Sequence, residues 1–188
     1  MSYLTQEQLL ELEFKFLGKN VKISHKASIY DYKNLEIGND SRIDDFCVIS
    51  GNVKIGSNVH ITPMCIIAGG EKGVIFEDFV TVAYGVKIFT QSDDYHGYSL
   101  TNSTVPKKYK NEKKLKVLLK RHSIVGAGST ILPGVVLEEG TSIGAMSLVT
   151  RSTISWSIYA GIPAVKIQYR SKDLIKKEKE YLKKHNIN

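Results

Sequence analysis

The sequence predicts an all-β protein, a parallel β-helix that forms a triangular prism of about five coils. First, aliphatic residues recur at every sixth position in two long runs. Second, small or β-branched residues stand four places after most of them. Third, glycine often follows the aliphatic residue, where a bulky side chain would crowd a turn. The runs are Ile37, Ile43, Ile49, Ile55, Ile61 and Ile67, then Leu119, Val125, Ile131, Leu137, Ile143 and Val149.

The period of six excludes the common regular structures. No α-helix has this period, and a two-sided strand alternates with a period of two. In a β-helix, six residues form one short strand and a turn, and three such units complete a coil. Residues eighteen apart, such as Cys47 and Cys65, should therefore stack about 4.8 Å apart on neighbouring coils. We expect two thiols in a ladder of small residues, because a reducing cytoplasm disfavours a disulfide.

The chain divides into three parts. Residues 1–20 form an N-terminal helical cap, in which Thr5 is the expected N-cap and Gln8 completes a capping box. Residues 21–170 form the β-helix domain. Residues 171–188 are rich in charge and have the pattern of a C-terminal helix.

Three interruptions break the six-residue period. They lie between Ile29 and Ile37, between Ile67 and Phe76, and between Ile88 and Leu119. Counted by threes, all of them leave from the same corner of the prism. Insertions on one edge of a repeat protein usually carry its binding surface. The last one, the inserted loop 89–118, is too long for a simple connection, and we expect it to be functional.

Composition narrows the function classes. Hydrophobic residues make up 42% of the 188 residues, and no apolar run has the ~20 residues of a membrane span. With no secretory leader pattern and only two cysteines, a cytoplasmic protein is expected.

The 26 Lys and Arg exceed the 19 Asp and Glu, giving a net charge of +7. For most of these lysines we expect solvated surface, and the alternative is a positive field that attracts an anionic partner such as a cofactor phosphate or a nucleotide-sugar. Nucleic acid is not expected, because the charges match no nucleic-acid motif.

Two segments carry a family resemblance. "IVGAGSTILPGVVLEEGTSIGAMSLVT" and "YAGIPAVKI" resemble the hexapeptide-repeat acyltransferases, and within them the bacterial sugar O-acetyltransferases of the galactoside and maltose type. The resemblance implies a left-handed β-helix and a homotrimer with acetyl-CoA between neighbouring prisms. It also implies acetyl transfer to a hydroxyl of a sugar or glycan precursor, in surface-polysaccharide biosynthesis.

The resemblance assigns residues to acetyl-CoA. Ala127 and Ala145 would line the pantetheine arm, where small residues let a long thin ligand lie along the coils. The family's Thr-Lys pair just beyond them, which meets the cofactor farther along, corresponds to Thr150 and Arg151. Cations suit the phosphates of CoA, and those implied here are Lys166 and Arg170.

The inserted loop begins "FTQSDDYHGYSL", where the family carries a catalytic histidine. The family's position falls at Asp93, three residues before His96. We expect His96 to deliver an imidazole as general base, with Asp93 or Asp94 orienting it. His60, on the wall of the prism, is the alternative base.

Three other functions stay open. The strongest is N-acetylation of a nucleotide-linked amino sugar, because a deprotonated amine needs little base and would suit a chain with Asp93 at the expected histidine position. A metal-dependent enzyme of the γ-carbonic-anhydrase type would need three converging histidines, and the five histidines include no pair at ligand spacing. We therefore expect no metal site. A non-catalytic assembly module would explain the prism but not the long loop.

Overall fold

The computed structural model describes residues 2–184, and most of them form a left-handed parallel β-helix. Two α-helices flank it: α1 (Gln6–Glu11) and α2 (Leu174–Lys184). Short 3-10 turns occupy Tyr32–Asn34 and Lys107–Tyr109. The expected C-terminal helix begins at Leu174 rather than 171, and residues 185–188 lie outside the described part of the chain.

Each face of the prism is a sheet with one strand from each coil. The first face contains Phe16–Leu17, Leu35–Ile37, Val53–Ile55, Val74–Phe76, Val117–Leu119 and Val136–Leu137. The second contains Lys22–Ile23, Arg42–Ile43, His60–Ile61, Thr81–Val82, Ile124–Val125, Ser142–Ile143, Ser157–Ala160 and Val165–Tyr169. The third contains Ser28–Ile29, Val48–Ser50, Ile66–Ala68, Lys87–Phe89, Thr130–Ile131 and Leu148–Val149.

The prism is longer than the sequence suggested. Six parallel strands on each face make six full coils, and Ser157–Ala160 begins a seventh before Val165–Tyr169 turns back antiparallel to it. The expected count of about five coils is therefore wrong. The first coil begins at Phe16–Leu17. Leu17 keeps the six-residue spacing to Ile23 and Ile29, but it lies within the stretch expected to be the N-terminal helical cap, so the count left this coil out.

The core is the stack of aliphatic residues that the period predicted. All twelve residues of the two runs are at most 2% exposed. Cys47 and Cys65 are buried free thiols, as expected, and a hydrogen bond with Cys65 together with burial raises the pKa of Cys47. Glycine marks the tightest contact between coils: a Cβ on Gly126 would lie 2.4 Å from the backbone nitrogen of Ala145.

The three interruptions leave one corner, as predicted. Each connects a strand of the third face to the next strand of the first face, and we call this edge the third–first corner. The inserted loop is closed at its base by antiparallel pairing of Gln91–Ser92 with Lys113–Lys114. The buried hydroxyl of Thr90 donates to the carbonyls of Ala68 and Gly69 and ties the loop to the prism.

Both helices pack against the prism. The capping box of α1 forms as predicted, with Thr5 and Gln8 each accepting from the other's backbone N–H. Helix α2 packs through Glu178, which pairs with Arg121 and accepts a hydrogen bond from His122 at 3.1 Å. Within residues 2–184, neither helix has the length and apolar character needed to cross a membrane.

Candidate active site

The corner between the second and third faces forms a straight ladder. Its backbone N–H groups donate to the carbonyls of the preceding coil at 2.8–3.1 Å, from Met64 to Asp45, Gly85 to Pro63, Gly128 to Tyr84 and Met146 to Ala127. The stacked positions, which we call the corner column, are Asp45, Pro63, Tyr84, Ala127 and Ala145. The side chains at the C-terminal end of the column, Ala127 and Ala145, are small, whereas Tyr84 before them is large and 61% exposed.

The other residues assigned to CoA do not gather at one place. Thr150 and Arg151 are exposed just after the third-face strand Leu148–Val149. Lys166 lies on the antiparallel strand with its Nζ 3.3 Å from the ring centroid of Tyr169.

Arg170 lies elsewhere, near the corner between the first and second faces. Its Nη1 donates to the carbonyls of His122 and Gly140 at 2.8 and 3.0 Å. Burial lowers the pKa of this guanidinium. Because its charge is held by backbone within the chain, a contact of Arg170 with CoA phosphates stays a prediction.

A cavity of about 550 Å³ opens between the third face and the inserted loop. Its floor is apolar and its outer wall is polar. The lining includes Ala68, Phe89, Leu132 and Pro133 below, and Ser92, Asp93 and Glu112 above. The half-buried carboxylate of Asp93 accepts from the backbone N–H of Asn102 at 3.4 Å. An apolar cavity with one placed carboxylate is a typical small-molecule site.

The two aspartates have different roles in the loop. Asp94 holds the loop in shape, because it accepts from the backbone N–H of His96 at 2.9 Å and from the hydroxyl of Ser99 at 3.1 Å. The N–H of His96 lowers the pKa of Asp94 most, and with the help of the Ser99 hydroxyl it outweighs burial, which acts in the opposite direction. Asp93 is the one that lines the cavity.

His96 stands on the outer side of the loop. It is exposed, and its ring stacks on that of Tyr98 with centroids 6.0 Å apart. A shallower cavity of about 460 Å³ contains both His96 and Asp93. Within residues 2–184, no carboxylate bonds its imidazole nitrogens, so the expected orienting pair with Asp93 or Asp94 is not formed.

His60 does have an orienting partner. Its Nε2 lies 2.8 Å from Oδ2 of Asp44, whose side chain is 1% exposed. Arg42 donates hydrogen bonds to the same carboxylate from Nε at 2.6 Å and from Nη2 at 2.8 Å. Burial alone would raise the pKa of Asp44, but the hydrogen bonds from Arg42 and His60 outweigh burial and lower it. Asp44 is therefore a carboxylate that orients both neighbours.

The structure separates the predicted catalytic and CoA residues. Asp93 and His96 belong to the third–first corner, whereas Ala127 and Ala145 lie at the second–third corner. In one prism the whole width of the third face stands between them, for example the strand Lys87–Phe89. One chain therefore carries two half-sites on two different edges.

Sequence reasoning missed two residues. Tyr84 occupies the same column position as Ala127, and the register across the inserted loop would have revealed it. Asp44 precedes His60 by sixteen residues, two fewer than one coil, so a search at the eighteen-residue spacing passes over the pair. In the described part of the chain, no group of three or more His, Cys, Asp or Glu could hold a metal ion.

Known proteins share this fold closely. A model of the bacterial transferase hexapeptide family (six repeats) matches residues 34–69. A dTDP-4-amino-4,6-dideoxy-D-glucose acyltransferase of Escherichia coli is 41% identical over 180 residues, which cover 95% of this chain and 94% of that protein. The N-acyltransferase AntD from Bacillus cereus, solved with dTDP and 3-hydroxybutyryl-CoA, is 45% identical with a TM-score of 0.97 and 98% coverage of both chains.

Two further structures show how far the structural similarity extends. A variant of AntD bound to dTDP-4-amino-4,6-dideoxyglucose and coenzyme A has a TM-score of 0.96 at 45% identity, covering 97% of this chain and 98% of that one. A maltose O-acetyltransferase from Clostridium difficile 630 has a TM-score of only 0.55 at 21% identity, covering 89% of this chain and 75% of that one. The second likeness concerns the fold alone.

The prism, its two half-sites and these relatives define an acyltransferase built on a left-handed β-helix. The chain belongs to the hexapeptide-repeat transferase family. The sequence led to the expectation of acetyl-CoA, and the 3-hydroxybutyryl-CoA bound in AntD supports an acyl-CoA co-substrate. The relatives favour the alternative of a nucleotide-linked amino sugar over the main expectation of a sugar hydroxyl.

Proposed function

We propose that the chain is an N-acyltransferase that moves an acyl group from acyl-CoA to the amino group of a dTDP-linked 4-amino-4,6-dideoxy sugar. The observation that carries the proposal is Asp93, a half-buried carboxylate in the loop cavity where the sugar O-acetyltransferases have a histidine. A hydroxyl needs a base of near-neutral pKa during attack, whereas an amine attacks unaided. Relatives at 41% and 45% identity with this acceptor class support the same assignment.

The attack itself then needs no base, but the intermediate that it forms needs a proton acceptor. The amine attacks the thioester carbonyl, a C–N bond forms, and the tetrahedral intermediate carries a positively charged nitrogen. Asp93 accepts the proton from that nitrogen as the C–S bond breaks. The proton finally neutralises the departing CoA thiolate, so the products are an amide and a free thiol.

Acyl-CoA occupies the corner column in this proposal. The pantetheine arm lies over Ala127 and Ala145, and Tyr84 marks where the groove ends and the thioester must stand. Thr150, Arg151 and Lys166 lie toward the nucleotide end of CoA. Arg170 would have to release the backbone carbonyls of His122 and Gly140 to reach the phosphates there. Cations at that end suit the CoA phosphates.

A homotrimer would complete the site. Asp93 and Ala145 lie on different corners of one prism, so a complete site needs corners from two copies. A closed ring repeats one such heterologous contact without open ends. Large apolar side chains along the second–third corner suit burial in that contact: Phe46 is 55% exposed, Met64 61% and Met146 68%. We propose that the enzyme works in the cytoplasm, on precursors of a surface polysaccharide.

An acceptor panel tests the function. Purified protein is incubated with acetyl-CoA or 3-hydroxybutyryl-CoA and with dTDP-4-amino-4,6-dideoxyglucose, dTDP-glucose or maltose. Release of free thiol and the mass of the product are measured. We expect acylated product only with the amino sugar. Acylation of maltose or dTDP-glucose with no reaction of the amino sugar would overturn the proposal.

A further inference from the structure

The second face carries a column of basic side chains on its first three coils. Lys22 pairs in register with Arg42, and Arg42 with His60, so their outward side chains are one strand spacing apart, about 4.8 Å. The next residues in the same column are Thr81 and Ile124, which are neutral. The basic residues of this column are therefore confined to its N-terminal half.

Other residues hold the side chains of this column in place. Asp44, almost fully buried beneath it, bonds both Arg42 and His60 and sets the direction of each side chain. Tyr3 packs its ring 5.7 Å from the guanidinium of Arg42. Lys22 is exposed, and within residues 2–184 it makes no ion pair with a carboxylate. One carboxylate beneath two cations and a histidine leaves a net positive surface that is suited to an anion.

The column also lies beyond the thioester end of the proposed CoA groove, on the side from which the acceptor approaches. Ala145 and Ala127 form the groove and Tyr84 ends it, so an acceptor that attacks the thioester must approach from beyond Tyr84. The coils beyond Tyr84 are those of Arg42 and His60, and the phenol of Tyr84 is close enough to Arg42 to act on it electrostatically.

We propose that Lys22, Arg42 and His60 bind the diphosphate of the nucleotide-sugar acceptor. The proposal rests on the proposed function and names the place of its acceptor. A diphosphate spans about the distance between neighbouring coils, and Arg and Lys are the side chains that bind phosphate oxygens best. Asp44 is a positioning residue in this arrangement. His60 then serves binding rather than proton transfer.

Nucleotide binding tests the inference without acyl transfer. Calorimetry with dTDP and, separately, with CoA compares the parent protein with Lys22→Gln and His60→Gln. We expect dTDP to bind about tenfold to a hundredfold more weakly in each variant, because each loses a side chain that donates a hydrogen bond to phosphate. The affinity for CoA should stay at the parental value. Lys22→Arg keeps the charge and should retain most of the dTDP affinity, and Lys54→Gln on the first face is the control.

Steady-state kinetics separates binding from catalysis. Both glutamine variants should raise KM for the amino-sugar nucleotide and leave kcat within a few-fold of the parent. Parental dTDP affinity in both variants would overturn the inference alone, and loss of CoA affinity instead would assign the column to CoA. A fall of kcat with an altered pH profile in His60→Gln would make His60 a base and overturn its binding role. A parent protein that binds no dTDP would overturn the proposed acceptor class as well.

Discussion

The prism and the inserted loop are built on opposite principles. In the prism, Ile67 is 0% exposed and repeats a position that is filled on every coil. In the loop, Tyr95 is 91% exposed and Tyr98 88% exposed, and local hydrogen bonds to Asp94 hold the backbone. Free energy of folding therefore concentrates in the prism, whereas the loop can change its side chains at low cost to stability. The difference explains how one fold can carry different acceptor chemistry.

The largest expected effect lies in the loop and concerns activity. Asp93→Asn removes the proposed proton acceptor and keeps the shape of the side chain, so kcat for amino-sugar acylation should fall by about 10²- to 10⁴-fold. Thermal stability should stay close to that of the parent because Asp93 supports no core contact. Single-turnover acyl transfer at saturating acyl-CoA measures the rate, and thermal unfolding measures the stability.

His96→Asn is the matched loop variant. With Asp93 as the base, its rate should lie within a few-fold of the parent. A collapse for His96→Asn with a parental rate for Asp93→Asn would return the general base to the imidazole that the sequence suggested.

The next effect lies in the prism and concerns stability. Ile67→Ala empties a fully buried position between two coils, and the free energy of unfolding should fall by about 2–5 kcal/mol. Tyr98→Ala in the loop should change it by no more than about 0.5 kcal/mol. Urea unfolding of both variants checks the contrast. Equal losses would mean that the loop is part of the cooperative core.

The same contrast explains what sequence could predict. The period of six placed Ile37 and Ile143 in the core and placed all three insertions on one corner, because the repeat makes each position depend only on its neighbours. The coil count came out low because Leu17, six residues before Ile23, was assigned to the N-terminal helical cap instead of to the first coil. Loop geometry has no such rule, so the sequence could not say that Asp94 would be used for structure and that His96 would face outward.

A third prediction concerns the corner column. Ala145→Trp places a large side chain in the proposed pantetheine groove, and overfilling a closely packed path costs about 1–3 kcal/mol. The KM for acyl-CoA should rise accordingly by about tenfold or more, while dTDP affinity stays parental. Lys54→Trp, at an exposed position on the first face, is the control. Unchanged CoA binding by Ala145→Trp would remove the corner column from the site.

The smallest expected effect concerns how the free energy of unfolding depends on acid pH when either of two aspartates is replaced. Hydrogen bonds from Arg42 and His60 overcome burial and keep the pKa of Asp44 below the ordinary value of 3.8. A carboxyl with a lowered folded-state pKa stabilises the protein above that ordinary value, and the stabilisation is lost as the pH falls through the lowered one. The free energy of unfolding of Asp44→Asn should therefore depend less steeply on pH between about pH 5 and pH 2 than that of the parent.

Asp94 also has a lowered pKa, but its bonds lie in an exposed loop that can open without the prism. Asp94→Asn should keep the parental slope, and an equal flattening in both variants would mean that loop and prism unfold together.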